Sequence, residues 1–370
     1  SLYGGAIYVI SVQKVNIPFR DGSKLFEGKC DVVFISRTKF IFNKAFLAGG
    51  AIQLEQICNS SIADSSFIAN KAVKFGTGVN AVSGETMNVY RVIFINNSIP
   101  RGNGGGIQVR HFSCCLFENS SFMRNRAKHG GGISVECGRQ CIVSVQSVKL
   151  INNSVSSYGG GILIGKSANF SITGSTFVRN SAGHGGGIYA EQGGIVTIYK
   201  VIFLNNSLVS NGTGGGILVL GFTNCSVADS VLMKNRAKYG AGIYVRDGLV
   251  VTINRVKVIK NVALDKKGGF GGGILISHTS YCFIADSFFM RNQAWVRGGA
   301  VSVKFGKTAH IFRVKFISNS ASDNKKRGYV KEILGGAIEV RRISNAFIVK
   351  SSFFGNKAIC SGGGIYAKSK

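Results

Sequence analysis

Apolar and polar residues alternate along this chain in short segments such as GILVL, GIYVR and CIVSVQSV. An alternation with period two, rich in β-branched residues, predicts strands whose successive side chains point to opposite faces. We find no segment with the 3.6-residue period of an amphipathic helix. The pattern therefore predicts an all-β chain built from short strands.

Two short units separate these strands at regular intervals. The first is an apolar residue, usually Phe, followed by two residues and then Asn, and it recurs about every 27 residues. The second is two or three Gly followed by Ile or Val. The Asn of the first unit stands at Asn43, Asn70, Asn97, Asn125, Asn153, Asn180, Asn206, Asn235, Asn261, Asn292, Asn319 and Asn356.

A repeat of about 27 residues has room for about three strands, so each strand is expected to pair in parallel with its copy one turn later. The sequence thus predicts a parallel β-helix, a solenoid of roughly 13 turns stacked about 4.8 Å apart. Crossover chirality favours right-handed coiling. We expect one such domain over residues 1–370, cut from a longer chain, with irregular insertions at 11–31, 264–270 and 321–334.

Each repeated residue type has a physical role in such a coil. Stacked Asn side chains can bond one another and the turn backbone, which predicts an internal Asn ladder. The Phe of the same unit would fill the core. The Gly run would form the opposite corner, where φ is positive or a Cβ does not fit.

The two units together resemble the repeats of the chlamydial polymorphic membrane proteins. GGAI occurs at residues 4–7, 49–52 and 335–338, and FIAN, FMRN and FVRN match that family's Phe-x-x-Asn unit. The resemblance covers the whole chain, although most copies here read GGGI. It implies a right-handed β-helix displayed at a cell surface, often with an adhesive role.

Several positions alternate with a period of two turns, or about 55 residues. Six residues before the ladder Asn, charges of opposite sign alternate, which predicts a surface ion-pair ladder. The alternative is a carbohydrate-active site, because Asp229 and Asp286 would stand about 9.6 Å apart, near the spacing of an inverting glycosidase. Arg255 would lie between them. The ladder comprises Arg37, Asp64, Arg91, Asp229, Arg255, Asp286 and Arg313.

The other candidate chemistry follows the repeat rather than forming a local cluster. Gly runs that would suggest a phosphate loop or an oxyanion hole occur in every turn, so they carry no specificity. His129 and His184 share the position before the Gly run, but two turns separate them, too far for one metal ion. We expect corner packing there, or a stripe that stacks on sugar rings. No catalytic residue, cofactor or metal site is expected.

An outward column is predicted beside the inward Ile of each Gly-Ile unit, because the next residue along a strand points to the opposite face. Stacked apolar residues on a free sheet surface suggest a lateral partner, or a cover from the same chain. The column contains Leu163, Tyr189, Leu218, Tyr244 and Leu275.

The charge balance adds a second candidate surface. The chain has 45 Lys and Arg against 16 Asp and Glu, a formal net charge of +29. A basic stripe beside the ladder would attract acidic polysaccharide, an anionic surface or an acidic protein, or would only keep the solenoid soluble. We do not expect nucleic acid as a partner, since no aromatic-basic module accompanies the charge. The stripe comprises Arg124, Arg126, Lys128, Arg179, Lys234, Arg236 and Lys238.

Sequons and cysteines also follow the columns. Asn96, Asn152 and Asn205 precede the ladder Asn in Asn-Asn-Ser and are candidate glycosylation sites, although Asn-Asn-Ser is also good turn chemistry. Of nine cysteines, Cys115, Cys225 and Cys282 are expected in the core as small apolar residues. Candidate disulfides are Cys30–Cys58, Cys114–Cys141 and Cys137–Cys141, and Cys360 is expected to be unpaired.

These patterns favour a non-enzymatic structural or adhesive module of an extracellular filament, appendage or cell surface. A polysaccharide-binding or carbohydrate-active β-helix is the alternative. No apolar run is long enough for a transmembrane helix. Neither end carries a visible cap, so copies of the chain or adjoining β-helix segments are expected to stack end to end.

Overall fold

The chain coils into a β-solenoid in which every strand pairs in parallel with a strand one turn away. The computed structural model describes residues 7–10, 31–138, 141–165, 169–209, 212–263, 268–322 and 333–368, and these contain no helix. Equivalent residues of successive turns are in register, as Ile162 is with Ile133 and Ile188. The predicted parallel β-helix is confirmed, with about twelve turns, close to the roughly 13 expected.

Within the described residues, three parallel sheets run along the solenoid, and the strands of each are counted over those residues. The first sheet has seventeen strands, Ile7–Ile10, Val32–Ser36, Ile52–Glu55, Asn59–Ala63, Val79–Tyr90, Ile107–Glu118, Ile133–Glu136, Ile142–Gln146, Ile162–Gly165, Asn169–Thr173, Ile188–Tyr199, Ile217–Ala228, Ile243–Asn254, Ile274–Ala285, Val301–Phe312, Ile338–Val349 and Ile365–Lys368. The second sheet has twelve strands of three residues, Lys39–Ile41, Ser66–Ile68, Ile93–Ile95, Ser121–Met123, Lys149–Ile151, Thr176–Val178, Ile202–Leu204, Val231–Met233, Lys257–Ile259, Phe288–Met290, Lys315–Ile317 and Ser352–Phe354. The third sheet has ten strands, Ser98–Asn103, Arg126–His129, Ser154–Val155, Ser181–Ala182, Ser207–Leu208, Arg236–Ala237, Val262–Ala263, Gln293–Ala294, Ser320–Ala321 and Lys357–Ala358.

The predicted insertions interrupt this repeat without displacing it. They fall largely outside the described residues, at 11–30, 264–267 and 323–332. On either side of the last gap the second sheet continues in register, with Phe316 opposite Phe353. The last two insertions stand in the sequence between a ladder Asn and the Gly run that follows it, whereas the first follows a Gly-Ile unit.

The core is a set of stacked columns, each filled by one position of the repeat. The middle residue of every second-sheet strand points inward, and most of these residues are Phe. Their rings stack face to face, with centroids 4.7 Å apart for Phe67 and Phe94 and for Phe94 and Phe122. Ile and Val of the first sheet pack against them. Stacking at the strand spacing explains why a Phe on one turn favours a Phe on the next.

The Asn ladder runs along one corner of the coil. From Asn43 to Asn319, the Nδ2 of each ladder Asn donates to the Oδ1 of the next at 2.9–3.1 Å. The same Oδ1 also accepts the backbone N–H of the preceding ladder Asn. From Asn70 onward, each Nδ2 donates a second hydrogen bond to a carbonyl of the preceding turn, as Asn180 does to Leu150. Most of these Asn are fully buried. Each buried amide thereby satisfies its own donors and acceptor and two backbone groups.

The opposite corner requires glycine. In the turn that precedes Ile162, Gly159 has a φ of +68°, and a Cβ on Gly160 would collide with the carbonyl oxygen of Gly186 in the next turn. A side chain at the first position is strained, and at the second there is no space for one. The Gly runs are therefore a steric requirement of stacked turns.

Hydrogen bonds that form at every second junction between turns account for the two-turn period of the sequence. One residue after the ionic column the chain alternates Val and Ser, and the Val N–H donates to the Ser Oγ of the next turn, as Val148 does with Ser175 at 3.0 Å. That hydroxyl in turn donates to the carbonyl two residues earlier, here Thr173. The same arrangement recurs at Val92, Val201, Val256 and Val314. Because Val has no hydroxyl, this link can form only at every second junction.

Replacement of a central ladder residue tests the ladder. In Asn180→Ala, the N–H and Nδ2 of Asn153, the Leu150 carbonyl and the Asn206 Oδ1 all lose a partner. We expect a loss of at least about 1–3 kcal/mol in the free energy of unfolding, the cost of one unsatisfied buried polar group. The measurement is the midpoint of denaturant-induced unfolding.

Asn152→Ser is the matched control. Asn152 is the exposed neighbour of the ladder, and Ser318 occupies the same position in another turn with a similar φ. An Asn180→Ala midpoint equal to that of Asn152→Ser would contradict a stabilising role for the ladder.

Candidate binding surfaces

The basic stripe lies on the solvent side of the Asn ladder. Arg124, Arg179 and Lys234 occupy one column, two turns apart, and all three side chains are exposed. Two turns correspond to about 10 Å. Lys260 and Arg291 continue this column on the next two turns. The column thus presents cations on three successive turns near the C-terminal end.

The remaining stripe residues are more widely spaced. Arg126 and Arg236 lie in the third sheet and are exposed, but three Ser residues separate them in the register. Lys128 is exposed, whereas Lys238 is half-buried with its ammonium 5.2 Å from the ring centroid of Tyr239. The column beside the ladder is therefore the more closely spaced cationic feature.

The three candidate glycosylation sites interrupt that same column. Asn96 and Asn152 are exposed and Asn205 is half-buried. All three have φ of about +55°. Asn tolerates this left-handed conformation better than most residues, so the backbone gives a structural reason for Asn here. Glycosylation stays a prediction.

The ionic column forms separate pairs rather than one continuous ladder. Arg91, Arg255 and Arg313 each bind the Asp of the preceding turn through two nitrogens, at 2.6–2.8 Å. These hydrogen bonds lower the pKa values of Asp64, Asp229 and Asp286. Arg37 acts on Asp64 through its charge, as Arg255 does on Asp286. A carboxylate held ionised by a bidentate guanidinium is poorly suited to donate a proton.

The expected lateral interface is wrong, because its residues are covered. Leu163, Tyr189, Leu218 and Leu275 are at most 6% exposed, and Tyr244 is half-buried. Leu163, Tyr189 and Leu218 form a small apolar cluster against which Tyr244 packs.

At Tyr189 part of the cover comes from the residue that precedes a Gly run. The Tyr158 ring lies 4.8 Å from Tyr189, and the Tyr189 hydroxyl donates to Glu191 at 2.7 Å. The strand direction was predicted correctly, but the Gly corner folds the preceding residue back over the outward face. This column is a second, smaller core.

The corner residues themselves stack along the solenoid. His129 lies against Tyr158 with ring centroids 5.2 Å apart, and Tyr158 lies 5.5 Å from His184. Burial lowers the pKa of both histidines, and at His129 the charge of Lys128 adds to the effect while Glu191 opposes it. Tyr158 separates the two imidazoles, so they pack in the corner rather than share a metal ion.

Cysteine positions depend on which face of the strand each residue occupies. Cys137 and Cys141 are bonded to each other. Cys58 is disulfide-bonded, and its expected partner Cys30 lies outside the described residues. The candidate pair Cys114–Cys141 is wrong, since Cys114 is in register with Ile142 and points to the outer face as a free thiol.

The core cysteines have little thiolate character. Cys115, Cys225 and Cys282 are buried free thiols, and burial raises their pKa to about 12. Cys115 lies beside the Cys137–Cys141 disulfide, with all three sulfur atoms within 4.8 Å. Two of these sulfurs are consumed by the disulfide, and the third stays protonated. Cys360 is an exposed free thiol.

Sequence reasoning missed a buried ionic cluster near the C-terminal turns. The Glu339 carboxylate is 1% exposed, accepts the Ser302 hydroxyl at 2.6 Å and lies 3.5 Å from the Arg297 guanidinium. Burial lowers the pKa of the nearby Lys304, whose ammonium stands 4.7 Å from the Phe270 ring. The sequence does contain a signal for this cluster. Glu339 stands directly after the inward Ile338, at a position where other turns have Leu, Tyr, Ser or an amide.

The corner histidines should make the fold acid-sensitive. Unfolded imidazoles bind protons below about pH 6.5, whereas the buried rings do so only at lower pH. The unfolded state therefore gains protons first, and the free energy of unfolding should fall as the pH drops below about 6.5. The double variant His129→Tyr/His184→Tyr removes both imidazoles and, together with Tyr158, places Tyr on three successive turns. The free energy of unfolding of this variant should change less with pH below about 6.5.

The readout is the denaturant midpoint measured from pH 8 to pH 5. His310→Thr, at an exposed first-sheet position where Thr252 stands in another turn, is the control. A double variant that keeps the full wild-type pH dependence would show that other groups cause it.

Comparison with known proteins agrees with this architecture. A family model described as a right-handed β-helix region matches residues 105–289, and a chlamydial polymorphic membrane protein repeat matches residues 350–368. Metabotropic glutamate receptor-like protein R of Dictyostelium discoideum is 27% identical over 184 residues, 50% of this chain and 10% of that protein. The chain thus spans about a tenth of that relative's length. No helix in the described part of the chain is long and apolar enough to cross a membrane. Because the β-helix match covers half of the chain and the strands coil as it requires, the chain belongs to the right-handed β-helix proteins and carries the repeat type of the polymorphic membrane proteins.

Proposed function

We propose that this chain is a non-enzymatic adhesive segment of an extracellular or cell-surface protein, and that its basic column binds acidic polysaccharide. The observation that carries the proposal is the solvent-facing cation column of Arg124, Arg179, Lys234, Lys260 and Arg291, whose members stand two turns apart and then on successive turns. A polysaccharide repeats its charges along its length. A row of cations can therefore engage such a chain at several points at once.

Two further observations support a binding role over catalysis. The Asp side chains that would serve a hydrolase are occupied by Arg guanidinium groups. The comparisons also point to surfaces, since one matching repeat is named for membrane proteins and the Dictyostelium relative is named receptor-like. A cell-surface location also suits the proposed glycans at Asn96 and Asn152, because these two side chains are exposed.

Removal of the central cations tests the proposal. Arg124→Ser/Arg179→Ser/Lys234→Ser should weaken binding to heparin or another sulfated polysaccharide roughly tenfold at low salt, because three exposed charges are lost from one column. Binding of the wild type should also fall steeply as salt rises. Titration of the immobilised polysaccharide at several ionic strengths measures both effects.

A control of equal charge separates the column from the net charge of the chain. Arg246→Ser/Lys307→Ser/Lys368→Ser removes three exposed cations from the first sheet. Equal weakening by both variants would mean that only net charge matters. Wild-type affinity that does not change with salt would rule out the cation column as the binding site.

A further inference from the structure

An apolar stripe runs along the outside of the second sheet. The third residue of every strand in that sheet is Ile, Met, Val, Leu or Phe, on all twelve turns. We call these twelve residues the outer stripe. Ile41 and Phe354 at its ends are 44% and 59% exposed, and the ten between them are half-buried. With the spacing of parallel strands the outer stripe is about 50 Å long.

The fold does not require apolar residues at this position. The inward residues of the same strands already fill the core. An outward column of the first sheet carries Ser, Thr or Asn on seven of the eight turns from Ser61 to Thr252, although Phe34, Phe283 and Phe347 stand in it nearer the two ends. Polar residues therefore satisfy an outward column in this solenoid, and a continuous apolar one indicates a contact surface.

Cations border the outer stripe on both sides. On one side lies the column of Arg124, Arg179, Lys234, Lys260 and Arg291 already described. On the other side the first residue of the strands is an exposed Lys on four turns, at Lys39, Lys149, Lys257 and Lys315. No Asp or Glu occupies either bordering column or the outer stripe in any of the twelve turns.

From this arrangement we infer that the second sheet lies flat against an anionic phospholipid membrane. The outer stripe enters the boundary between head groups and acyl chains, and the bordering Lys and Arg contact the phosphates and acidic head groups. A sheet about 50 Å long with an apolar column along its outer face suits an extended surface. A second copy of the chain fits less well, because its own cation columns would oppose these in any face-to-face pairing.

The sequons give this surface a means of control. Asn96, Asn152 and Asn205 stand in one bordering column, immediately after outer-stripe residues. A glycan on the exposed Asn96 or Asn152 would hold the sheet away from lipid. Membrane contact and glycosylation of this column are therefore mutually exclusive, and the test uses unglycosylated protein.

Vesicle flotation tests the inference. The wild type should float with vesicles of phosphatidylcholine and phosphatidylserine, bind phosphatidylcholine alone much more weakly, and be released by high salt. Ile151→Thr/Leu204→Thr/Ile259→Thr removes apolar surface from the outer stripe and places at each position Thr, a β-branched residue that the first sheet carries outward at Thr252. It should lower the partition coefficient on the anionic vesicles by at least about tenfold.

The matched control removes exposed apolar residues elsewhere. Ile142→Thr/Ile195→Thr/Leu249→Thr changes three first-sheet side chains that are 53%, 47% and 54% exposed, and should bind like the wild type. Unfolding midpoints of both variants establish that each is folded. If the triple outer-stripe variant proves destabilised, the double variant Ile151→Thr/Ile259→Thr takes its place and should also bind the anionic vesicles more weakly than the wild type.

Several results would overturn the inference. They are no flotation of the wild type, equal binding to neutral and anionic vesicles, equal loss in both triple variants, and a soluble wild-type dimer that only the outer-stripe variant dissociates. Heparin binding separates this inference from the proposed function. The outer-stripe variant keeps every cation, so its heparin affinity should equal that of the wild type whichever way the vesicle result falls.

Discussion

The buried Asn ladder is the interaction on which the solenoid depends. An amide side chain in a dry corner must have all of its hydrogen-bonding groups satisfied, and here identical amides one turn away and backbone groups do this together. Each Asn therefore fixes the phase of the next turn relative to its own. The Phe three residues earlier and the Ile that follows the Gly run are thereby brought into their columns. Insertions are tolerated because they enter between ladder positions, as in the 37-residue step from Asn319 to Asn356.

Two further links alternate along the same edge and give the sequence its two-turn period. A Val N–H to Ser hydroxyl bond joins one junction, as between Val256 and Ser287, and an Arg–Asp pair can join the next, as between Arg313 and Asp286. The hydroxyl bond is buried and neutral, whereas the ion pair is exposed. Surface pairs contribute little individually, so the buried Ser bond is the stronger reason for the alternation.

Much of this fold could be predicted from the sequence because each position of the repeat has the same environment on every turn. Because the same residue types recur on about twelve turns, the Asn ladder, the inward Phe column and the Gly corner can be recognised in the sequence. The errors arose where one part of a turn covers another. The alternation of apolar and polar residues correctly predicts the outward direction of Leu163 and Tyr189, but it does not show that the corner residue Tyr158 lies over Tyr189, which depends on the path of the chain. At Cys114 a shift of one residue relative to Cys141 placed the two side chains on different faces.

The outer stripe was missed for a related reason. In the Phe-x-x-Asn unit the Asn attracts notice because it is constant and the inward residue because it is usually Phe, whereas the outer-stripe residue directly after the inward one varies among Ile, Met, Val, Leu and Phe. That variation is what a surface contact permits and a packed core restricts, since lipid or solvent imposes no shape on a side chain. In a solenoid a single residue choice becomes a row of about twelve contacts, each of them weak. A row can bind an extended or planar partner strongly while no single turn contains a site, which is how a chain without a local chemical cluster can still recognise a surface.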